Sequence, residues 1–198
     1  MYFCISSSIS VPRVKLFDEE KAIQKAMELF WEKGFQSTSL SDLTEHLGIG
    51  KGSFYATFKS KEVLFDLCFN TYQSANVPLI EQLLASETDR KKGLKKLMAF
   101  NVDFLLGNPS YKGCFIANSC SEVSEDKSDL TTKISQHYLE LQRIIQKYLT
   151  SGGITSKRAK CLAAMSVTFL IGMSQQSKIN QDRNSYLDSI EEVVSLLD

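Results

Sequence analysis

Apolar side chains recur every three or four positions along most of this chain, and this spacing predicts an all-α fold. The sequence contains three Pro and ten Gly residues, so helix-breaking positions are few. A short helix is predicted after Ser39, a residue type that caps helix N-termini. Its leucines lie three and four positions apart, and Gly48 then allows the left-handed turn that ends a helix.

A second short helix is predicted from Lys51 to Phe58. At about 100° per residue, Phe54 and Phe58 share one side and are expected to pack on the leucine stripe. Gly52 and Ala56 fall on the opposite side, so small residues face outward. Two short helices joined by a glycine-bounded turn are typical of a helix-turn-helix DNA-binding unit.

The charge around this second helix favours contact with DNA. Three lysines and no acidic residue lie between Gly50 and Lys61. Taken singly, Tyr55 also fits helix packing and the lysines also fit a solvated helix end. Their combination with a small outward face favours a helix that enters a major groove beside phosphates.

The segment from Leu29 to Phe65 resembles the DNA-binding region of the TetR family of bacterial transcriptional repressors; it reads LFWEKGFQSTSLSDLTEHLGIGKGSFYATFKSKEVLF. The resemblance lies in a Gly-aromatic step, a Ser-led helix, Leu-Gly-Ile, and Lys-Gly-Ser-aromatic-Tyr. It implies base-edge contacts by Lys51 and Gly52. It implies phosphate contacts by Ser39, Ser53, Tyr55, Thr57 and Lys61. Ala56 departs from the family pattern, which often has a larger residue there.

The domain organisation follows from the remaining helices. Residues 1–15 are predicted to form a flexible arm. Their apolar, serine-rich start has no basic residue before it, so it is a poor match to a signal peptide. Residues 16–62 form a three-helix, helix-turn-helix headpiece, whose first helix starts at Asp18. Residues 63–198 form a helical effector-binding and dimerisation bundle. The helix that follows Ser60 links the two parts, and Pro78 is expected to kink or interrupt it.

The two C-terminal helices are predicted to form a homodimer interface. One is rich in small residues, and the other repeats Leu187, Ile190, Val194 and Leu197 at steps of three and four. The resemblance implies the same arrangement, because TetR-like proteins dimerise through their last two helices. Packing of both helices within a monomer is the alternative from the pattern alone.

Aromatic and polar residues of the bundle are candidates for a small-molecule cavity. Such cavities combine an apolar wall with a few polar groups; ordinary core packing is the alternative for each of these residues. The candidate ligand-binding residues are Phe69, Tyr72, Phe100, Phe104, Cys114, Phe115, Asn118 and Phe169.

Five cysteines without CxxC spacing support neither a disulfide framework nor a zinc site. Cys114 follows a Lys-Gly pair and is the candidate for a thiol-based redox or electrophile sensor on the same scaffold. His46 and His137 are isolated, so no catalytic or metal site is predicted, and no cofactor is expected. No run of apolar residues is long enough for a membrane span, and a cytoplasmic protein is expected.

The 198 residues carry a net charge of zero, so a DNA-binding surface must be local and gains from duplication in a dimer. The leading interpretation is a transcriptional repressor rather than an enzyme. It binds a palindromic double-stranded DNA operator as a homodimer and is released by a small-molecule effector.

Overall fold

The computed structural model describes residues 18–107, 113–122 and 129–197. The predicted arm, residues 1–15, and Cys4 lie outside these ranges. The described residues form helices and no strand, which confirms the all-α fold. The helices are α1 Glu19–Lys33, α2 Leu40–Leu47, α3 Lys51–Phe58, α4 Lys61–Ala85, α5 Arg90–Gly107, α6 Phe115–Cys120, α7 Asp129–Ser151, α8 Ser156–Gln176 and α9 Arg183–Ser195.

The headpiece helices α1–α3 begin and end at the residues that local capping chemistry predicts. The Asp18 carboxylate accepts hydrogen bonds from the backbone N–H groups of Glu20 and Lys21 at the start of α1. Ser39 and Asp42 form a reciprocal capping box at the start of α2. Gly48 ends α2 with φ 67° and ψ 32°, a conformation that costs glycine little.

Two hydrophobic clusters divide the described part of the chain. The first joins α1–α3 and the N-terminal half of α4 to Phe115, Ile116 and Ile134 from α6 and α7. The second joins the C-terminal half of α4 to α5, α7, α8 and α9. Helix α4 therefore belongs to both clusters, and the domain division between residues 62 and 63 stays a prediction.

Helix α4 is not interrupted at Pro78. It runs as one helix of 25 residues with the proline inside it. Proline removes one backbone donor, but α4 packs along its length against α1, α5 and α7. This tertiary packing keeps the helix continuous between the headpiece and the bundle.

The bundle is completed by α8 and α9. Helix α8 packs mainly on α7, and α9 packs mainly on α5. Ala159 and Ala163 of α8 are fully buried, which lets the helices approach closely. The α9 repeat predicted for the dimer interface packs inside the chain instead: Ile190 and Val194 are buried in the second cluster, and Leu187 and Leu197 pack against it. Tyr186, which the sequence pattern did not indicate, is buried in the same cluster.

Candidate nucleic-acid interface and ligand cavity

Helix α3 presents an outward surface of the predicted kind. Phe54 and Phe58 have no exposed surface and anchor the helix on the headpiece core. Gly52 and Ala56 are exposed on the other side, next to Lys51 at the helix start. Apart from the two neighbouring residues and the backbone of α3 itself, no atom of the described residues lies within 4 Å of the position that a Gly52 Cβ would take. The backbone of α3 is therefore open to a close approach from outside.

Polar side chains flank this open backbone. Tyr55 is 51% exposed, and its ring stands edge-on to Phe54 with centroids 5.7 Å apart, which restrains its direction. Ser53 is exposed and Thr57 is half-buried. Hydroxyl groups beside an open helix backbone suit hydrogen bonds to phosphate oxygens.

The lysines near the end of α3 are placed differently from one another. Lys59 has φ 67° and ψ −50°, and the Ser60 N–H donates to the Phe58 carbonyl 2.7 Å away, so Lys59 is the centre of a strained γ-turn. The Lys61 ammonium donates to the carbonyl oxygens of Phe35 and Thr38 at 2.9 and 3.0 Å. Two of the three N–H donors of Lys61 are therefore used inside the protein.

Ser39 is also engaged inside the headpiece. Its hydroxyl donates to the Asp42 carboxylate at 2.6 Å and accepts from the Asp42 N–H at 3.1 Å. Lys33 donates to the same carboxylate at 2.9 Å, and these hydrogen bonds, the one from Lys33 foremost, hold the pKa of Asp42 well below its usual value. A phosphate contact by the Ser39 hydroxyl requires the bond to Asp42 to break.

A cavity of about 90 Å³ lies in the bundle, with walls from α4, α5, α7 and α8 and from residues 114–117. Four of the candidate ligand-binding residues line it: Tyr72, Phe100, Phe104 and Cys114.

The other four candidates lie elsewhere. Phe69 and Phe115 are buried in the headpiece cluster, and Phe169 packs against the bundle cluster. Asn118 lies beside Gly113, outside the cavity wall.

Five polar cavity residues were not among the candidates: Asn76, Asn101, His137, Tyr138 and Ser174. Of these, only His137 was mentioned in the sequence analysis, as an isolated histidine. Asn101 could have been found from the sequence, because it is a polar residue between Phe100 and Val102 in an otherwise apolar stretch of helix. Burial lowers the pKa of His137 to about 4, so its imidazole is neutral near pH 7.

Cys114 lies at the cavity wall and caps α6. Its sulfur is 3.3 Å from the Tyr72 hydroxyl oxygen, and its backbone N–H donates to the Ser174 hydroxyl oxygen at 2.7 Å. Burial raises the pKa of Tyr72 well above its usual value, so its hydroxyl stays protonated. Cys68, Cys120 and Cys161 are free thiols, and only Cys68 is buried.

Residues 113–122 contact the headpiece as well as the cavity. The Trp31 indole N–H donates to the Gly113 carbonyl at 3.1 Å, and the Trp31 ring packs edge-on to Tyr72 with centroids 5.4 Å apart. The Glu122 carboxylate accepts the backbone N–H groups of Phe35 and Gln36 at 3.0 and 2.8 Å. Nothing in the sequence pattern indicated the Glu122 contacts, because Glu122 is separated from Phe35 by 87 positions and from Gln36 by 86.

Family comparisons agree with this architecture in both parts of the chain. Residues 22–68 match the model of bacterial regulatory proteins of the tetR family. Residues 91–192 match the model of the LmrA/YxaF-like transcriptional regulator C-terminal domain. The chain belongs to the TetR family of transcriptional regulators. It is a DNA-binding regulator and not an enzyme.

This TetR-family regulator is 31% identical to the HTH-type transcriptional repressor ComR of Escherichia coli (strain K12) over 74% of its own length and 69% of that protein. It is 25% identical to the HTH-type transcriptional repressor BdcR of the same strain, over 84% of this chain and 82% of BdcR. A cysteine mutant of the TetR family regulator CifR, complexed with 26bp double-strand operator DNA, superposes with a TM-score of 0.83. That match has 25% identity and covers 93% of this chain and 98% of CifR.

The described residues contain no group of three or more His, Cys, Asp or Glu side chains that could hold a metal ion. None of their helices has the length and apolar composition needed to cross a membrane.

Proposed function

We propose that this regulator is a repressor that inserts α3 into the major groove of an operator. Lys51 and Gly52 then meet base edges, and Ser53, Tyr55 and Thr57 meet phosphates. The observation that carries the proposal is the exposed, acid-free face of α3 over a buried pair of phenylalanines. The CifR complex with operator DNA supports it, because that relative has the same fold at 25% identity.

Ser39 and Lys61 have secondary roles in this proposal. Both side chains are engaged inside the headpiece, Ser39 with Asp42 and Lys61 with two carbonyl groups. Lys61 keeps one N–H donor for a phosphate, whereas the Ser39 hydroxyl keeps none. The larger share of phosphate binding therefore falls to α3 itself.

The proposed operator complex contains a homodimer formed through α8 and α9. A two-fold dimer places two copies of α3 in successive major grooves, about 34 Å apart, on a palindromic site. Duplication also compensates for the zero net charge of the chain, because each headpiece contributes its own local patch of lysines. The complex forms in the cytoplasm, where the operator DNA lies.

Release from the operator is proposed to follow binding of a small-molecule effector in the bundle cavity. Tyr72 and Cys114 line the cavity; the Tyr72 ring packs on Trp31 of the headpiece, and Cys114 follows Gly113, whose carbonyl accepts the Trp31 N–H. An effector that favours a different position of residues 113–122 shifts the headpieces to a spacing that misses the grooves. By linkage, operator DNA weakens effector binding by the same factor.

The test of DNA binding compares wild type with Tyr55→Ala on a fragment of the regulator's own upstream promoter. We expect Tyr55→Ala to lower affinity at low salt by about tenfold or more, because a phosphate contact and its supporting ring are lost. The measurement is a fluorescence anisotropy titration, with the oligomeric state checked by light scattering. Tyr55→Phe separates the two effects, since it keeps the ring and removes the hydroxyl.

Two further variants control this experiment. Leu139→Ala removes an equally exposed side chain from α7, at 49% exposure, and should leave operator affinity unchanged. Gly52→Ala should fold normally, because its Cβ has open space among the described residues, yet it should bind the operator more weakly. Wild-type affinity in both Tyr55→Ala and Gly52→Ala would refute the assignment of this face, as would equal binding of promoter and random duplex.

A thiol sensor is the second candidate function, favoured by the position of Cys114 at the cavity wall. In this case the Cys114 thiol adds across the C=C bond of an α,β-unsaturated carbonyl compound: a C–S bond forms at the β-carbon, the C=C π bond breaks, and the α-carbon takes the thiol proton. The adduct then takes the place of a bound effector.

Cys114→Ser distinguishes this candidate from reversible effector binding. We expect the variant to bind the operator normally and to lose its response to electrophiles in a promoter-reporter assay. Full induction in Cys114→Ser eliminates the thiol mechanism. Cys120→Ser is the matched control, because Cys120 is an exposed free thiol outside the cavity wall.

A further inference from the structure

Three nearly inaccessible polar atoms belong to residues that line the bundle cavity: Asn101 Oδ1, His137 Nδ1 and Tyr138 Oη. Within the described part of the chain, none of these atoms makes a hydrogen bond. Native proteins rarely leave buried polar atoms unpaired, because desolvation without a partner is unfavourable. A ligand that brings its own hydrogen-bonding groups would supply the missing partners once small side-chain rotations turn these atoms toward the cavity.

The same cavity contains no charged group that could pair with an ion. Among the described residues, its wall has no Lys, Arg, Asp or Glu. His137 is neutral near pH 7, since burial lowers its pKa to about 4. An anionic or cationic ligand would lose its hydration here without gaining a counter-charge.

Size sets a further limit on the ligand. The cavity volume is about 90 Å³, smaller than the roughly 150 Å³ of an engineered cavity that holds benzene. A molecule of about five non-hydrogen atoms suits this space. Apolar side chains, including Leu97 and Val167, form much of the remaining wall and suit a short hydrocarbon part.

We propose that the cavity selects a small uncharged molecule that carries both a hydrogen-bond donor and an acceptor on a short apolar chain, such as a primary carboxamide. The amide N–H donates to Asn101 Oδ1, and the amide oxygen accepts from the Tyr138 hydroxyl. His137 Nδ1 takes either role according to its tautomer. The proposal names the chemical class of the effector, and rests on the proposed effector function for its regulatory consequence.

The test is isothermal titration calorimetry of the full chain with three probes of matched size: propionamide, propionate and butylammonium. Propionamide is expected to bind, and each ion is expected to bind at least about tenfold more weakly, because the cavity lacks a counter-charge. Asn101→Leu and Tyr138→Phe should each lower propionamide affinity by about tenfold, the cost of one or two lost hydrogen bonds. Both variants should fold, since the Asn101 Oδ1 and Tyr138 Oη atoms that they remove have no partner in the described structure.

Tyr186→Phe is the matched control. It deletes a phenolic hydroxyl that donates to the Asn180 carbonyl outside the cavity, so propionamide affinity should not change. Equal binding of propionate, no binding of propionamide, or wild-type affinity in both Asn101→Leu and Tyr138→Phe overturns the proposal.

Operator release is measured separately, by anisotropy with each probe. Selective propionamide binding without release of the operator supports the ligand class and refutes the effector function. The two proposals therefore fail through different observations.

Discussion

At the scale of single residues, His137 lines the cavity, and its burial there makes the stability of the protein depend on pH. It is 4% exposed and packs between Phe69 and Tyr138, with ring centroids 6.1 and 5.6 Å from its own. Protonating this imidazole would place a charge among aromatic rings without a counter-charge. The lowered pKa of His137 is the equilibrium consequence of that cost.

Acidification is expected to destabilise the protein through His137. The unfolded chain takes up a proton below about pH 6.5, whereas the folded protein resists until about pH 4, so the free energy of unfolding falls as pH drops through this window. The loss is about 2 kcal/mol by about pH 5. Urea unfolding of wild type and His137→Phe, each at about pH 7 and about pH 5, measures this loss of stability. An equal pH dependence in His137→Phe would contradict the assignment.

At the scale of elements, residues 113–122 attach the cavity wall to the turn between α1 and α2. Gly34 makes this contact sterically feasible. Its φ of 85° suits glycine, and a Cβ there would lie 2.7 Å from the Glu122 carboxylate. The carboxylate can therefore reach the two N–H groups of Phe35 and Gln36, and it restrains the turn that leads into α2.

Glu122→Ala is expected to loosen this turn. Removing the acceptor should speed hydrogen exchange at the Phe35 and Gln36 amides by about tenfold and lower the free energy of unfolding by about 1–2 kcal/mol. Exchange measured by NMR or mass spectrometry tests this. Glu122→Gln keeps a neutral acceptor and should give an intermediate rate. Unchanged exchange in Glu122→Ala would show that Glu122 does not restrain the headpiece.

At the scale of the whole molecule, α8 carries an exposed stripe that suits a two-fold interface. Cys161, Met165, Thr168 and Gly172 are all exposed and lie four, three and four positions apart, the spacing of a helix–helix seam. Met165 is 48% exposed although it is apolar. This stripe supports the α8 side of the proposed dimer, whereas the apolar repeat of α9 packs within the chain's own core.

Met165→Lys is expected to convert the dimer into a monomer, because two like charges would meet at the two-fold axis. Operator affinity should then fall by about a hundredfold, since the half-sites are no longer bound together. Analytical ultracentrifugation and anisotropy measure the two effects. Leu139→Lys on α7, where Leu139 is 49% exposed, is the matched control and should stay dimeric. A stable Met165→Lys dimer would place the interface elsewhere.

The same contrast of scales explains how far the sequence could predict this structure. Helix limits and the outward face of α3 depend on residues within about one or two turns of each other, so capping pairs and periodicity predict them. Burial follows from the same periodicity, but the partner of a buried side chain does not. Phe69 and Phe104 both have buried-aromatic patterns and both pack on the headpiece cluster, yet only Phe104 also lines the cavity.

By itself, therefore, the sequence determined the all-α fold, the helix-turn-helix and membership of the TetR family. Only the tertiary structure decided which side chains line the cavity, that Lys61 and Ser39 are bonded internally, and that Glu122 contacts the α1–α2 turn. The physical reason is range: local hydrogen bonding and amphipathic spacing are encoded in neighbouring residues, whereas contacts across the bundle depend on how whole helices pack.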